Sequence, residues 1–408
     1  TNEMLIDLNN KYRIKKLYIE TNYKITDKSL IYLENLEEIN IGSYKTTDTT
    51  ILKNFPKLKI LKCYENNNII TNEFLRFVPN LEELHCGDNE NFTNEGLKYI
   101  PNLKYLKCYY HNKITNEGLK YVLKLEKLYC GRNINFTDKG LKYLINLEVL
   151  ECGSNTNITN EGLKYLPNLK VIDLYQNKNI NELALKFLPK LEELSCRHNT
   201  TIKSDNLITL TNLKLLNCGF NKNINGNFLK HCPNLKELHC VDNNNITNKD
   251  LKHLPNLEIL YINRNNIITN AGLKHLPNLK KLYCSNNKNF TDEGLKYVPN
   301  LEELICDKNT NFTDEGLKYL PKLKNLSCGD NTNFTDEGLK YVPNLEILNF
   351  TKPQKITDEG LKYVPNLKYL KCFYEPEIIG PGLFNLTKLK NFHYESGKFS
   401  KDILNKIH

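Results

Sequence analysis

The chain has no tryptophan and one methionine, Met4, and none of its 408 residues fall in an apolar run long enough to cross a membrane as a helix. It shows no short apolar core of a secretory leader, and an intracellular compartment is therefore expected. Stretches rich in Gly, Pro or Ser that would mark a linker are also missing. A length that would ordinarily suggest two or three globular domains is thus expected to form one elongated domain over residues 1–408. Convergent catalytic sets are absent too. No Ser, His and Asp group and no Cys and His pair falls on neighbouring segments, and the nearest acids to His85 and His239 in the following turns are Asp88 and Asp242. No catalysis, metal or cofactor is expected.

What the chain does have is a period. Counting back from Cys372 in steps of 22, the same place in the pattern LxxLxC is held by Phe350, Cys328, Cys306, Cys284, Ile262, Cys240, Cys218, Cys196, Leu174, Cys152, Cys130, Cys108 and Cys86. Tyr394 continues it forward. Cys63, Ile41 and Ile19 continue it backward, with one residue inserted between Cys63 and Cys86. This gives 18 copies. A period of this size means a solenoid whose units bury their apolar faces only against neighbouring units.

One unit, from Leu301, reads LEELICDKNTNFTDEGLKYLPK. Leu304 and Cys306 alternate with period 2 and point into a core, so this half is a short strand with Glu303, Ile305 and Asp307 facing out. Asn309 recurs at 89, 133, 155, 177, 199, 221, 243, 265, 287 and 331, which suggests a buried ladder of amide hydrogen bonds. In the other half, Thr313 can cap a helix whose first turn holds two acids favoured by the helix dipole, and Pro321 stops it after about two turns. Gly316 points to tight packing beneath the neighbouring helix. The repeated Tyr of LKYLP is expected to pack between adjacent helices with its hydroxyl in solvent.

LxxLxCxxN followed by ITDEGLKYLPNL resembles a leucine-rich repeat, over essentially the whole chain. The resemblance implies an α/β solenoid with a parallel sheet on a concave face and short helices on a convex one, acting as a noncatalytic scaffold for a protein partner. Within that family, the ITDEGL segment and the CPNL of Cys232 to Leu235 resemble cysteine-containing repeats of F-box proteins, although the usual Cys of that subclass stands where this chain has Asn. This implies an alternative role as substrate receptor of a ubiquitin ligase. The bias toward Asn, Lys, Ile and Tyr resembles proteins of giant DNA viruses of amoebae or AT-rich protists, which would place the protein in the cytoplasm of a host cell.

Twelve of the 13 cysteines share the inward strand position with Leu174, Ile262 and Phe350, so they act as small core hydrophobes in the reduced state. The NFT and NIT triplets match glycosylation acceptors but arise from Asn placed before a capping Thr. The net charge of +9 is divided among 18 units. The residue after the first strand Leu alternates largely in sign (Lys104, Glu126; Glu148, Lys170; Lys280, Glu302, Lys324, Glu346, Lys368), forming a lateral salt-bridge ladder. A basic stripe for a polyanion or nucleic acid does not result, so that alternative ranks last.

Function is expected on the outward strand positions, which vary between units. One cluster comprises Tyr64, Tyr105, Tyr109, Tyr110 and Tyr129 with Lys62, Lys107, Lys127 and Arg132, aromatic anchors and positive charge suited to an acidic protein partner. A second comprises Ile259, Tyr261, Tyr283 and Ile305 beside Arg264 and Lys281, an exposed apolar strip. Residues 1–13 are expected to form an N-terminal cap or partial repeat and residues 395–408 a C-terminal cap. Both covers are thin, which suggests a homodimer through a terminal repeat.

Overall fold

The structure, a computed structural model, describes residues 1–19, 25–42, 51–64, 70–110, 113–351, 355–373 and 381–395. The chain forms two compact units, Thr1–Thr209 and Leu210–His408. The first carries nine parallel strands among the described residues: Lys16–Tyr18 (β1), Glu38–Asn40 (β2), Ile60–Lys62 (β3), Glu83–His85 (β4), Tyr105–Lys107 (β5), Lys127–Tyr129 (β6), Val149–Glu151 (β7), Val171–Asp173 (β8) and Glu193–Ser195 (β9). The second carries nine more: Leu215–Asn217 (β10), Glu237–His239 (β11), Ile259–Tyr261 (β12), Lys281–Tyr283 (β13), Glu303–Ile305 (β14), Asn325–Ser327 (β15), Ile347–Thr351 (β16), Tyr369–Phe373 (β17) and Asn391–Glu395 (β18). Within each unit every strand pairs with the next in parallel, equivalent residue against equivalent residue, as in Leu282↔Leu304 and Tyr283↔Ile305.

The strand half follows from its periodicity. Leu304, Cys306 and their equivalents in the interior repeats are wholly buried, each large aliphatic contributing about 1.5–3 kcal/mol relative to exposure. The chain then turns through a residue in the left-handed region, such as Asp88 (φ 55°), Tyr110 (φ 57°) or Lys308 (φ 61°). The ladder Asn follows. The sequence suggested amide-to-amide bonds between neighbouring Asn side chains; instead the carboxamide bonds to the backbone. Asn177 Nδ2 donates to the carbonyls of Asn155 (2.9 Å) and Cys152 (3.4 Å) in the preceding repeat, while its Oδ1 accepts from the N–H groups of Asn179 (2.9 Å) and Ile180 (3.1 Å). A second, outer row uses the Asn of the NFT and NIT triplets: Asn157 Nδ2 donates to Ile134 O at 2.7 Å and Asn311 Nδ2 to Lys288 O at 2.6 Å. These acceptor-like triplets therefore have a structural use that requires no sugar.

The helical half is shorter than two turns. The helix Asp314–Leu317 makes one turn, after which bonds of the i→i−3 kind (Tyr319 N–H to Gly316 O, Leu320 N–H to Leu317 O) carry the chain to Pro321. Its two acids do different things. Glu315 pairs with Lys318 at 2.5 Å, whereas the first acid bridges to the following repeat: Asp292 Oδ1 accepts from Thr313 N–H (2.9 Å) and its Oδ2 from Thr313 Oγ1 (2.7 Å). Where Asn replaces Asp the hydroxyl reverses its role, accepting from Asn94 Nδ2 at Thr115 (3.0 Å) and from Asn116 Nδ2 at Thr137 (2.8 Å). The helix tyrosines accept a cation from the repeat before them, with Lys318 Nζ 5.1 Å from the ring centre of Tyr341 and Lys340 Nζ 5.1 Å from that of Tyr363.

At the start, an 11-residue helix Asn2–Tyr12 (α1) is capped by Thr1 and joins the same bridging row, since Asn2 Nδ2 donates to Thr26 Oγ1 at 2.8 Å and Asn2 Oδ1 accepts from Thr26 N–H at 2.9 Å. It leaves Leu17 and Ile19 buried. Its outer stripe of Met4, Leu8 and Tyr12 is exposed. Residues 396–408 of the expected C-terminal cap lie outside the described residues.

All 13 cysteines are buried free thiols. Several donate to the next strand, as Cys63 Sγ does to His85 O and Cys306 Sγ to Ser327 O, both at 3.4 Å. Burial pushes the Cys218 and Cys232 thiols up to about 12, so they carry almost no thiolate near neutrality. A thiol reagent is expected to titrate 13 groups after denaturation and to react with few in the native state; a large shortfall after denaturation in air-protected protein would contradict the reduced core.

A candidate protein-binding face

The residue after the first strand Leu forms the expected ladder. Lys104 meets Glu82 at 3.0 Å, Lys170 meets Glu148 at 2.7 Å, Glu258 is shared by Lys236 (3.0 Å) and Lys280 (2.7 Å), and Lys324 meets Glu302 at 2.8 Å. These exposed pairs each contribute a few tenths of a kcal/mol.

Beside this ladder, the outward strand side chains of the first unit build an aromatic row. Tyr64 lies 6.2 Å from the His85 ring, His85 stacks on Tyr105 at 5.0 Å and 7°, and Tyr105 stacks on Tyr129 at 4.9 Å and 22°. The row is half-buried by its own stacking. His85 is fixed by Glu83, with Nε2 and Oε1 at 2.5 Å, and not by Asp88. Burial holds this imidazole below its ordinary range despite the carboxylate, and raises Tyr105, with Tyr129 adding to the shift. Sequence reasoning missed Glu83, although residues two apart on a strand share a face.

The rest of the first cluster separates from that row. Lys62 is committed to Glu38 at 2.7 Å, whose carboxyl is opposed by burial yet held down at about 2 by hydrogen bonds from Lys62, Tyr18 and Lys16. Tyr109 and Tyr110 sit in the turn after β5, edge to face at 6.3 Å. Lys107 Nζ lies 5.0 Å from the centre of the Tyr109 ring, and Arg132 Cζ lies 5.4 Å from that of Tyr110. The Tyr109 hydroxyl donates to Glu151 Oε2 at 2.8 Å. Glu151 and its register partner Asp173 bring two carboxylates into the same region as these aromatic and positively charged side chains.

In the second unit, His239 stacks on Tyr261 at 3.9 Å and Tyr261 on Tyr283 at 3.8 Å and 5°. His239 again pairs with the Glu two residues before it, Glu237, at 2.5 Å, in place of Asp242. The Tyr283 hydroxyl donates to Glu303 at 2.9 Å, and Lys281 reaches the same carboxylate at 3.4 Å. Burial first, then Tyr261 and Glu303, raise the Tyr283 phenol. Ile259 and Ile305 flank the row, half-buried rather than fully exposed. Arg264 lies in the turn after β12 with a left-handed backbone (φ 58°) and an exposed side chain. Among the described residues, no group of three or more His, Cys, Asp or Glu is placed to hold a metal, and no helix is long and apolar enough to cross a membrane.

Stacked units of a three-residue parallel strand, an Asn-stapled turn and a one-turn helix define a leucine-rich repeat solenoid. Residues 233–275 match the family model described as Leucine Rich repeats (2 copies). Among solved structures, the chain is similar to a leucine-rich repeat protein of Leptospira interrogans, with 24% identity over 90% of this chain and 97% of that one and a TM-score of 0.55. It also aligns with an internalin of Listeria monocytogenes, with 23% identity over 81% of this chain and 90% of that one and a TM-score of 0.48. No curated protein sequence matches it. Proteins built from such repeats generally act as scaffolds for protein interaction.

Proposed function

We propose that the protein is a noncatalytic scaffold that binds a protein partner on the outward face of its strands. The observation that carries this reading is the pair of stacked aromatic rows, His85–Tyr105–Tyr129 and His239–Tyr261–Tyr283. The core positions repeat from unit to unit, but these outward positions break the repeat to gather large flat side chains, already ordered by stacking and by the Glu83 and Glu237 contacts. Aromatic anchors whose side-chain entropy is lost before binding are the residues that dominate protein interfaces. The pairwise neutralised lysine ladder supports a protein over a nucleic acid or other polyanion. The ubiquitin-ligase receptor reading rests on the sequence resemblance alone.

Replacing Tyr105 and Tyr129 together by Ser, and separately Tyr261 and Tyr283, is expected to weaken capture of the partner from a lysate of the source cell by at least tenfold. The circular dichroism spectrum should hold, and the melting temperature should move by only a few degrees. Retention of the same partner by both variants would place the interface elsewhere. Elution of the wild-type complex by heparin but not by salt-matched buffer would favour the polyanion reading.

A further inference from the structure

At the end of the strands of the first unit, Tyr109, Tyr110 and Tyr175 line a cavity of about 280 Å³ together with Arg132, Glu151 and Asp173. Glu151 and Asp173 are register partners on β7 and β8, and both are half-buried. Like charges directly opposite each other across a sheet are destabilising, yet neither carboxylate forms an ion pair among the described residues. Glu151 accepts only from the Tyr109 hydroxyl at 2.8 Å, and Asp173 accepts from Tyr175 N–H at 2.7 Å with help from Ser195. Lys107 and Arg132 stand over rings, on Tyr109 and Tyr110; Lys107 and Arg197 partly offset the charges of Glu151 and Asp173 without forming an ion pair with either, and burial still raises both carboxyls above their ordinary range. Two carboxylates that lack an ion pair, beside three tyrosine rings, match one chemistry, a cation carried on an apolar stem, which gains from the ring faces and from the acids together.

We infer that this cavity receives a lysine or arginine side chain projecting from an extended segment of the protein partner, with the tyrosine rings around its stem and Glu151 and Asp173 at its head. The inference rests on the protein-binding reading above and names the chemistry of the partner at one point of that face. The overall charge of +9 repels basic peptides in general, so attraction of one requires a local site such as this.

The probe is a fluorescein-labelled Gly-Ser-Arg-Ser-Gly peptide, with versions carrying Lys, Gln or Glu at the centre, followed by anisotropy in dilute salt. The Arg and Lys peptides are expected to bind at least tenfold more tightly than the Gln peptide, and the Glu peptide not to bind. Glu151→Gln with Asp173→Asn should remove that preference while raising the melting temperature, because the repulsive pair is gone. Equal binding of the Arg and Gln peptides by the wild type, or a preference that survives the double substitution, would overturn the assignment. Should partner capture fail in the Tyr105 and Tyr129 variant while the wild-type protein shows no preference for the Arg and Lys peptides over the Gln peptide, the scaffold reading stands and the cation pocket falls. Loss of peptide preference on substitution with capture intact in both aromatic variants would do the reverse.

Discussion

Asn177→Ala is expected to lower the stability of the first unit by about 3–6 kcal/mol, the largest effect of any substitution that removes so few atoms. The side chain is buried and makes four hydrogen bonds, two as donor to Asn155 and Cys152 carbonyls and two as acceptor from Asn179 and Ile180 N–H groups. Alanine leaves both N–H groups buried without a partner, at about 1–3 kcal/mol each, and leaves a void as well. Asn177→Asp keeps the acceptor but places a carboxylate against two carbonyl oxygens, so it should be no milder. Asn179→Ala, in the exposed outer row where the amide bonds to Thr156 O, should cost less than about 1 kcal/mol because water replaces the lost partner. Urea unfolding followed by circular dichroism separates the two. Equal costs at positions 177 and 179 would mean that the inner ladder is not what ties successive repeats together.

Much of this arrangement was legible from the sequence because it depends on spacing alone. The 22-residue step, the inward place of the cysteines and the alternation of Lys and Glu after the first strand Leu all follow once residues at equal offsets are set side by side. Features that depend on the direction of a side chain were not legible. A buried Asn can satisfy its amide through a neighbouring amide or through backbone, and only the turn geometry decides for backbone. Residues as different as Asp88, Tyr110 and Lys308 occupy the left-handed position before it, so no glycine marked the turn. Asp292 and Asp314 resemble ordinary first-turn acids, and their bridge to the next repeat depends on the depth at which the helices stack. On the candidate face, selection for Tyr and Lys passed over Glu151 and Asp173. The signal was present, as two acids stand next to each other in the outward column.

Gly316→Ala tests that stacking depth, and two physical effects predict opposite signs for it. In an isolated helix, alanine would be more stable than glycine by roughly 0.5–1 kcal/mol. In this solenoid a Cβ on Gly316 would lie 2.3 Å from Asp292 Oδ1 and 3.0 Å from Leu295 Cδ1 of the preceding repeat. Asp292 cannot swing aside freely, because both its oxygens hold Thr313, one at the backbone N–H and the other at the hydroxyl. Packing should therefore win, and Gly316→Ala is expected to cost about 2–4 kcal/mol through strain and the broken bridge. Asp292→Ala alone should cost about 1–2 kcal/mol, the usual worth of charge-assisted bonds of this kind. With Asp292 already removed, only the mobile end of Leu295 faces the new methyl group, so the double variant should be well short of the sum, with a coupling of at least about 1 kcal/mol. Denaturant unfolding of the four proteins in the cycle measures this directly. Additive costs would mean that Gly316 is needed for a reason other than its contact with Asp292.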